Sequence, residues 1–238
     1  LSSIASGITA PDATTYRDVR SIFETYGIEN ELPDAVRELV RRGIEGAVPD
    51  TPDASDPVFK NVDNLLIGNN AQALASARRK AETLGYNAVI LSSQIIGEAR
   101  EIAKVYAGIA RDLKRLTTTD GLLVQRPACV IAEGETTVTL RGSGKGGRNQ
   151  EIALAFLSVF QGDPETLNDV VFLSGATDGN DGPTDAAGGI VDERAVREAS
   201  SGDVARALSE NDAYYLLERI GSLVKSGNTK NNVCDIKI

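Results

Sequence analysis

The chain has 238 residues, 41% of them hydrophobic and 25% charged, enough to bury a sizeable core as one large domain or two small ones. Its net charge of −9, with Lys and Arg spread along the sequence rather than gathered in a patch, argues against a nucleic-acid surface. There is no histidine, which excludes an imidazole base, a His-based triad and a His metal cage within this chain.

No apolar run reaches transmembrane length and no signal-peptide pattern opens the sequence, so a cytoplasmic protein without membrane contact is expected. Cys129 and Cys234 both fall in apolar, strand-like runs and read as buried free thiols of a reducing compartment. The chain begins Leu1-Ser2-Ser3 and contains no Met, and on that ground it is expected to be a portion of a longer protein.

In chain order, residues 1–12 read as a connector of small and polar residues with breakers. Thr14 or Thr15 can cap a helix carrying Val19, Ile22, Phe23 and Tyr26, stopped at Gly27. Pro33 suits the first position of a second helix through Ala35, Val36, Leu39 and Val40, ending at Gly43. Residues 46–57 hold three of the eight prolines and several aspartates, and read as a hinge.

The rhythm then changes. Leu65-Leu66-Ile67-Gly68 reads as a strand, Asn69-Asn70 as the cap of a helix through Ala73, Leu74, Ala77, Ala81 and Leu84, and 87–91 as the next strand, a βαβ unit. A long helix over 98–116 follows, with Ile102, Val105, Tyr106, Ile109 and Leu113 on one face, then a linker over 117–127. Residues 129–132 and 136–140 read as adjacent strands around Gly134, 148–160 as a helix, 170–174 as a strand and 233–238 as a closing strand. Short helices precede that strand, one capped near Asn211-Asp212. The fold class is layered α/β/α with a parallel or mixed sheet. The segments divide as 1–58, a helical connector; 59–127, a βαβ-type segment; and 128–238, an α/β domain.

Two loops carry chemistry. The first is Arg141-Gly142-Ser143-Gly144-Lys145-Gly146-Gly147-Arg148-Asn149, between a strand and a helix. It is no Walker A loop, since Thr139 and Gly146 stand where Gly and Ser/Thr are required, and no acidic strand end follows to complete a dinucleotide fingerprint. Its glycines allow close backbone approach to an anion. Arg148, a cation in a helix's first turn, opposes the helix dipole unless an anion is bound there. The other reading is a tight turn whose Arg reaches a nearby carboxylate. The second loop, Thr177 to Asp185, brings Asp178, Asp181 and Asp185 past a strand end. Gly182 breaks the EF-hand spacing; Mg²⁺ held by one or two carboxylates with substrate phosphates fits better, Asp178 could instead serve as a base, and all three could simply form Asx-turns. Gly134-Glu135-Thr136-Thr137 adds a carboxylate and hydroxyls at a strand start, and 227–232 is a polar turn.

Glu135-Thr136-Thr137-Val138-Thr139 through Gly147-Arg148-Asn149-Gln150-Glu151, together with Thr177-Asp178-Gly179-Asn180-Asp181-Gly182-Pro183-Thr184-Asp185 and Asn211-Asp212 before an aromatic pair, resembles the MOFRL domain of class II glycerate kinases. Ile4-Ala5-Ser6-Gly7 with Thr9, Leu66-Ile67-Gly68-Asn69-Asn70 and Gly97-Glu98-Ala99-Arg100-Glu101 are similar to the domain that precedes it in that family. The resemblance implies a two-domain α/β fold with an interdomain cleft, and a kinase dependent on ATP and Mg²⁺ that turns D-glycerate into 2-phosphoglycerate. It implies roles for Arg148 on phosphate or carboxylate and for Asp178 as metal ligand or base. Gly144, Lys145, Gly146, Gly147, Asn149, Glu135 and Thr136 would bind substrate or phosphate, and Asp181 and Asp185 would join Asp178 at the metal. The missing partner is the family's N-terminal domain, without which the chain is expected to be nearly silent. The terminal run Gly227-Asn228-Thr229-Lys230-Asn231-Asn232-Val233-Cys234-Asp235 departs from the family's Gly-Pro-Thr-Gly-Thr-Asn-Val-Asn-Asp. A non-catalytic module that captures a phosphorylated metabolite is the alternative; a hydroxypyruvate reductase would need the absent dinucleotide fingerprint.

Overall fold

A computed structural model of the protein describes residues 7–115 and 124–238. Residues 1–6 of the expected connector, residue 116 at the end of the expected long helix and linker residues 117–123 lie outside the described residues. Contacts divide the chain into two compact units, Leu1–Ile67 and Gly68–Ile238.

In the first unit, α1 (Tyr16–Tyr26) starts at Thr15, whose hydroxyl accepts from the Asp18 N–H while Asp18 accepts from the Thr15 N–H, a reciprocal cap. Gly27, at φ 66°, ends it. Pro33 precedes α2 (Asp34–Ile44) as its N-cap rather than its first residue. Gly43 does not stop α2 but lies inside it, because the Tyr16 ring packs there: a Cβ would meet the ring at 2.1 Å. The left-handed turn is made by Gly46. Residues 65–68 form no strand. Leu65 and Ile67 are 86% and 89% exposed, since an apolar run becomes a strand only where a neighbour takes up its backbone groups, and none pairs here.

The second unit opens with α3 (Asn70–Thr83), capped reciprocally by Asn69 and Gln72. There follow β1 (Asn87–Ser92), α4 (Ala99–Arg115), β2 (Ala128–Gly134), α5 (Arg148–Val159), β3 (Phe172–Ala176) and β4 (Gly188–Val191). The chain ends with α6 (Glu193–Glu198), α7 (Ser201–Ser209), α8 (Ala213–Arg219), β5 (Leu223–Val224) and β6 (Asp235–Lys237). The six strands form one mixed sheet in the order β1-β2-β6-β3-β4-β5, parallel at β1/β2 and antiparallel elsewhere. The parallel crossover unit is therefore β1–α4–β2, not the 65–68 run with α3 and β1.

Residues 136–140 contribute only a bridge from Thr137 to Glu98, and β6 takes the place expected for them beside β2. Strands β4 and β5 carry no sequence signal, because β4 begins Gly188-Gly189. Both glycines answer to packing: a Cβ would lie 2.0 Å from the Ser174 carbonyl oxygen at 188, and 2.7 Å from the Ala153 Cβ at 189.

Successive residues of β2 face opposite layers. Ile131 packs with Leu74 and Ala81 of α3, while Ala132 joins the larger core built on α4 and α5. The buried face of α4 is Tyr106 with Ala99, Ala103, Ala107 and Ala110, and its alanines let α5 approach; Val105, expected on that face, is 56% exposed. Residues 149–157 of α5 are all buried, so this helix is the centre of the unit and its N-terminus is fixed in place. Among the described residues no helix is long and apolar enough to cross a membrane.

Candidate functional site

The glycine loop is folded against the turn between α7 and α8. Asn211 Oδ1 accepts from the N–H groups of Arg141 (2.7 Å) and Gly142 (3.1 Å). The Gly144 N–H donates to the Glu210 carbonyl (2.9 Å), and the Lys145 N–H to Asp212 Oδ1 (2.9 Å). Four N–H groups expected to face an anion are thus satisfied by the protein itself. A Cβ on Gly142 would lie 2.4 Å from Glu210, and one on Gly144 2.5 Å from Asp212, so these glycines serve chain-to-chain contact. Asp212, expected to cap α8, instead spends its carboxylate on this loop. Lys145 lies over the Tyr214 ring, 4.2 Å from its centroid, a cation–π contact.

The N-terminus of α5 is occupied too. Asp181 is buried and accepts from the backbone N–H groups of Asn149 (3.1 Å) and Gln150 (2.9 Å), and from both of their side-chain amides. An intrinsic carboxylate thus meets the helix dipole, so the favourable anion is Asp181 and not an external ligand. Burial pushes the Asp181 carboxyl above its ordinary value, and the donors from Gln150 and Asn149 oppose that. Gly147 makes the fit possible, since a Cβ there would lie 2.4 Å from the Asp181 carboxyl carbon. Gly147→Ala is expected to cost about 1–3 kcal/mol by overpacking, read as a shifted urea midpoint with unchanged slope.

Beside this cap, at the ends of β2 and β6, lies a corner of charged groups. Arg148 donates through Nε and Nη2 to the two oxygens of Asp235 at 2.7 and 2.8 Å, and Nη1 lies 3.1 Å from Glu135. Asp235 is fully buried, and its carboxylate holds the Arg148 pKa above the ordinary value. Lys237, also fully buried, donates to the Gly134 carbonyl (2.9 Å) and lies 3.5 Å from Asp235; burial lowers its pKa and Asp235 opposes this. Glu133 is 1% exposed and neither carboxyl oxygen has a hydrogen-bond partner. Burial pushes it up to about 7, with Lys237 pulling it back. Thr136 Oγ1 is likewise buried without a partner.

The acidic loop is joined to the terminal turn. Asp178 accepts from the Asn180 N–H (2.9 Å) and from Asn232 Nδ2 (3.1 Å), while the Thr229 N–H donates to the Asp178 carbonyl (3.0 Å). Asp185 instead accepts from the Tyr214 hydroxyl (2.6 Å) and Lys225 (3.0 Å), which hold its pKa down. The three aspartates named for a metal thus face three different sets of partners. Among the described residues no group of three metal-ligating side chains comes together. Asp178 is partly exposed and Asp185 more so, but Asp185 is paired with Lys225, whereas Asp178 has no ion-pair partner among the described residues and is the carboxylate that could share Mg²⁺ with substrate phosphates.

Arg148 reaches a nearby carboxylate, as the alternative turn reading held, and the structure groups it with Glu135 and the buried Asp235 and Lys237. Lys145 and Asp185 belong to the separate Tyr214 cluster. Glu133, Asp235 and Lys237 escaped the sequence reading. The alternation Asp235-Ile236-Lys237, which puts both charges on one face of a strand, was the available signal. Cys129 and Cys234 are free and only partly buried, and burial pushes both thiols up.

Residues 128–235 match the family model of the MOFRL family, and residues 1–41 that of a domain of unknown function, DUF4147. The chain is 38% identical over its full length to a glycerate 2-kinase of Pyrococcus horikoshii, covering 52% of that protein. It is 35% identical to a glycerate kinase of Macaca fascicularis, with 98% of this chain and 66% of that one covered. A crystal structure of a glycerate kinase from Thermotoga maritima superposes with a TM-score of 0.73 at 34% identity, covering all of this chain and 53% of the other. The chain spans about half the length of the archaeal and bacterial relatives it matches.

Proposed function

We propose that this chain, whose residues 128–235 belong to the MOFRL family, forms the C-terminal part of a cytoplasmic kinase that transfers the γ-phosphate of ATP to D-glycerate, giving 2-phosphoglycerate. The observation that carries this reading is the Arg148 guanidinium, held on one edge by buried Asp235 and meeting only the exposed Glu135 on the other, at the sheet end. A guanidinium fixed in that way binds planar oxygens, a carboxylate or a transferring phosphoryl group, without reorganising.

Phosphoryl transfer asks the protein chiefly for positioning and charge. Arg148 supplies the fixed cation in this half. Asp178, steadied by Asn232, is the carboxylate that would hold Mg²⁺, and that ion when bound neutralises charge on the phosphates. The N-terminal domain of the same protein completes the cleft, so the 238 residues alone are expected to show almost no turnover.

The test uses the full-length protein and follows ADP release with D-glycerate, ATP and Mg²⁺. Arg148→Ala and Asp178→Asn are each expected to lower kcat/KM by about 10²- to 10³-fold, the scale for removing one transition-state charge contact, with native circular dichroism. Turnover untouched by both substitutions would remove these residues from the reaction. Metal-independent anion binding without turnover on any hydroxy acid would leave a binding module.

A further inference from the structure

Arg148 has three guanidinium nitrogens, and they are divided between two carboxylates of opposite character. Nε and Nη2 belong to Asp235, which has no exposed surface and is flanked by buried Lys237. Nη1 meets Glu135 at 3.1 Å, and that side chain is 59% exposed. The first contact is a bidentate, desolvated pair, costly to break. The second is a single-nitrogen contact at the surface, worth little.

We propose that Glu135 is a displaceable internal counterion that occupies the outward edge of Arg148 and gives way to the anionic oxygens of the ligand, setting affinity at that subsite. This rests on the kinase reading only for the ligand's identity; the subsite itself takes any small oxyanion, the carboxylate of a hydroxy acid or a phosphoryl group. Asp235 is the positioning residue that keeps the guanidinium plane fixed while Glu135 leaves. The cap of α5 plays no part in the exchange, since Asp181 already holds it.

Binding of D-glycerate and, separately, of inorganic phosphate to the full-length protein would be measured by calorimetry without ATP, so that the result is independent of turnover. Glu135→Gln is expected to tighten one or both about fivefold, the scale of one exposed ion pair, and Glu135→Asp to stay close to the parent. The gain should vanish when Arg148→Gln is added, which a structural effect of Glu135 elsewhere would not produce. Tightening of D-glycerate alone assigns the subsite to the acceptor's carboxylate, and of phosphate alone to the phosphoryl group. An unchanged or weakened Kd for both anions in Glu135→Gln, including the case in which neither protein binds either anion, overturns the proposal. Absence of kinase turnover in the unsubstituted full-length protein, with the binding gain of Glu135→Gln intact, would sink the functional reading and leave this one standing.

Discussion

Glu133→Gln is expected to leave stability near that of the parent at pH 4 and to raise it by up to about 3 kcal/mol at pH 8. The carboxyl is buried without a hydrogen-bond partner, and burial lifts it from 4.5 to about 7 in the folded protein. Between those two values the folded state binds more protons at this group than the unfolded chain does. Stability therefore falls as pH rises through that window and the loss is complete above it. The neutral amide has the same shape and no charge to desolvate, so the variant escapes the loss. Urea unfolding of both proteins at several pH values gives the difference directly, with all other titrating groups cancelling. Parallel curves for the two proteins across pH 4 to 8 would show that Glu133 is ionised and satisfied, and the burial argument would fail.

Glu133 also shows where sequence reading stops. A glutamate at the end of a strand is ordinarily a solvated edge, and only the register β2–β6 reveals that it is covered. The helices with strong caps were legible because the signal is local: Thr15 with Asp18, Asn69 with Gln72. The sheet was less so. Leu65-Leu66-Ile67 has strand composition but no neighbour, whereas Gly188-Gly189 has none of the composition and sits in a strand because α5 and β3 leave no room for a side chain there. The two loops were found by their residues, but their electrostatics were inverted by contacts across the chain. The glycine N–H groups serve Asn211 and Asp212, and the helix N-terminus serves Asp181. Arg148 reaches carboxylates of the chain itself, as the tight-turn reading allowed, and its anchor came from a strand 87 residues later.

That anchor makes Asp235→Asn the most damaging single change expected in the second unit. The carboxylate stands between Arg148 and Lys237, and the isosteric amide leaves two cations facing each other in a corner that, at Lys237, has no solvent access. Breaking a buried pair from one side costs about 3–5 kcal/mol, because the remaining charge stays desolvated. Thermal and urea unfolding should both register it, with the variant also losing turnover in the full-length protein as the guanidinium plane is freed. Adding Lys237→Met removes one of the stranded cations and keeps the volume of the stem, so the double variant is expected to recover at least 1 kcal/mol. A loss below 1 kcal/mol in Asp235→Asn, or no recovery on adding Lys237→Met, would mean that the two cations are solvated or unpaired with Asp235 in solution. In that case Arg148 would have no fixed plane, and its proposed role in holding a planar oxyanion would lose its physical basis.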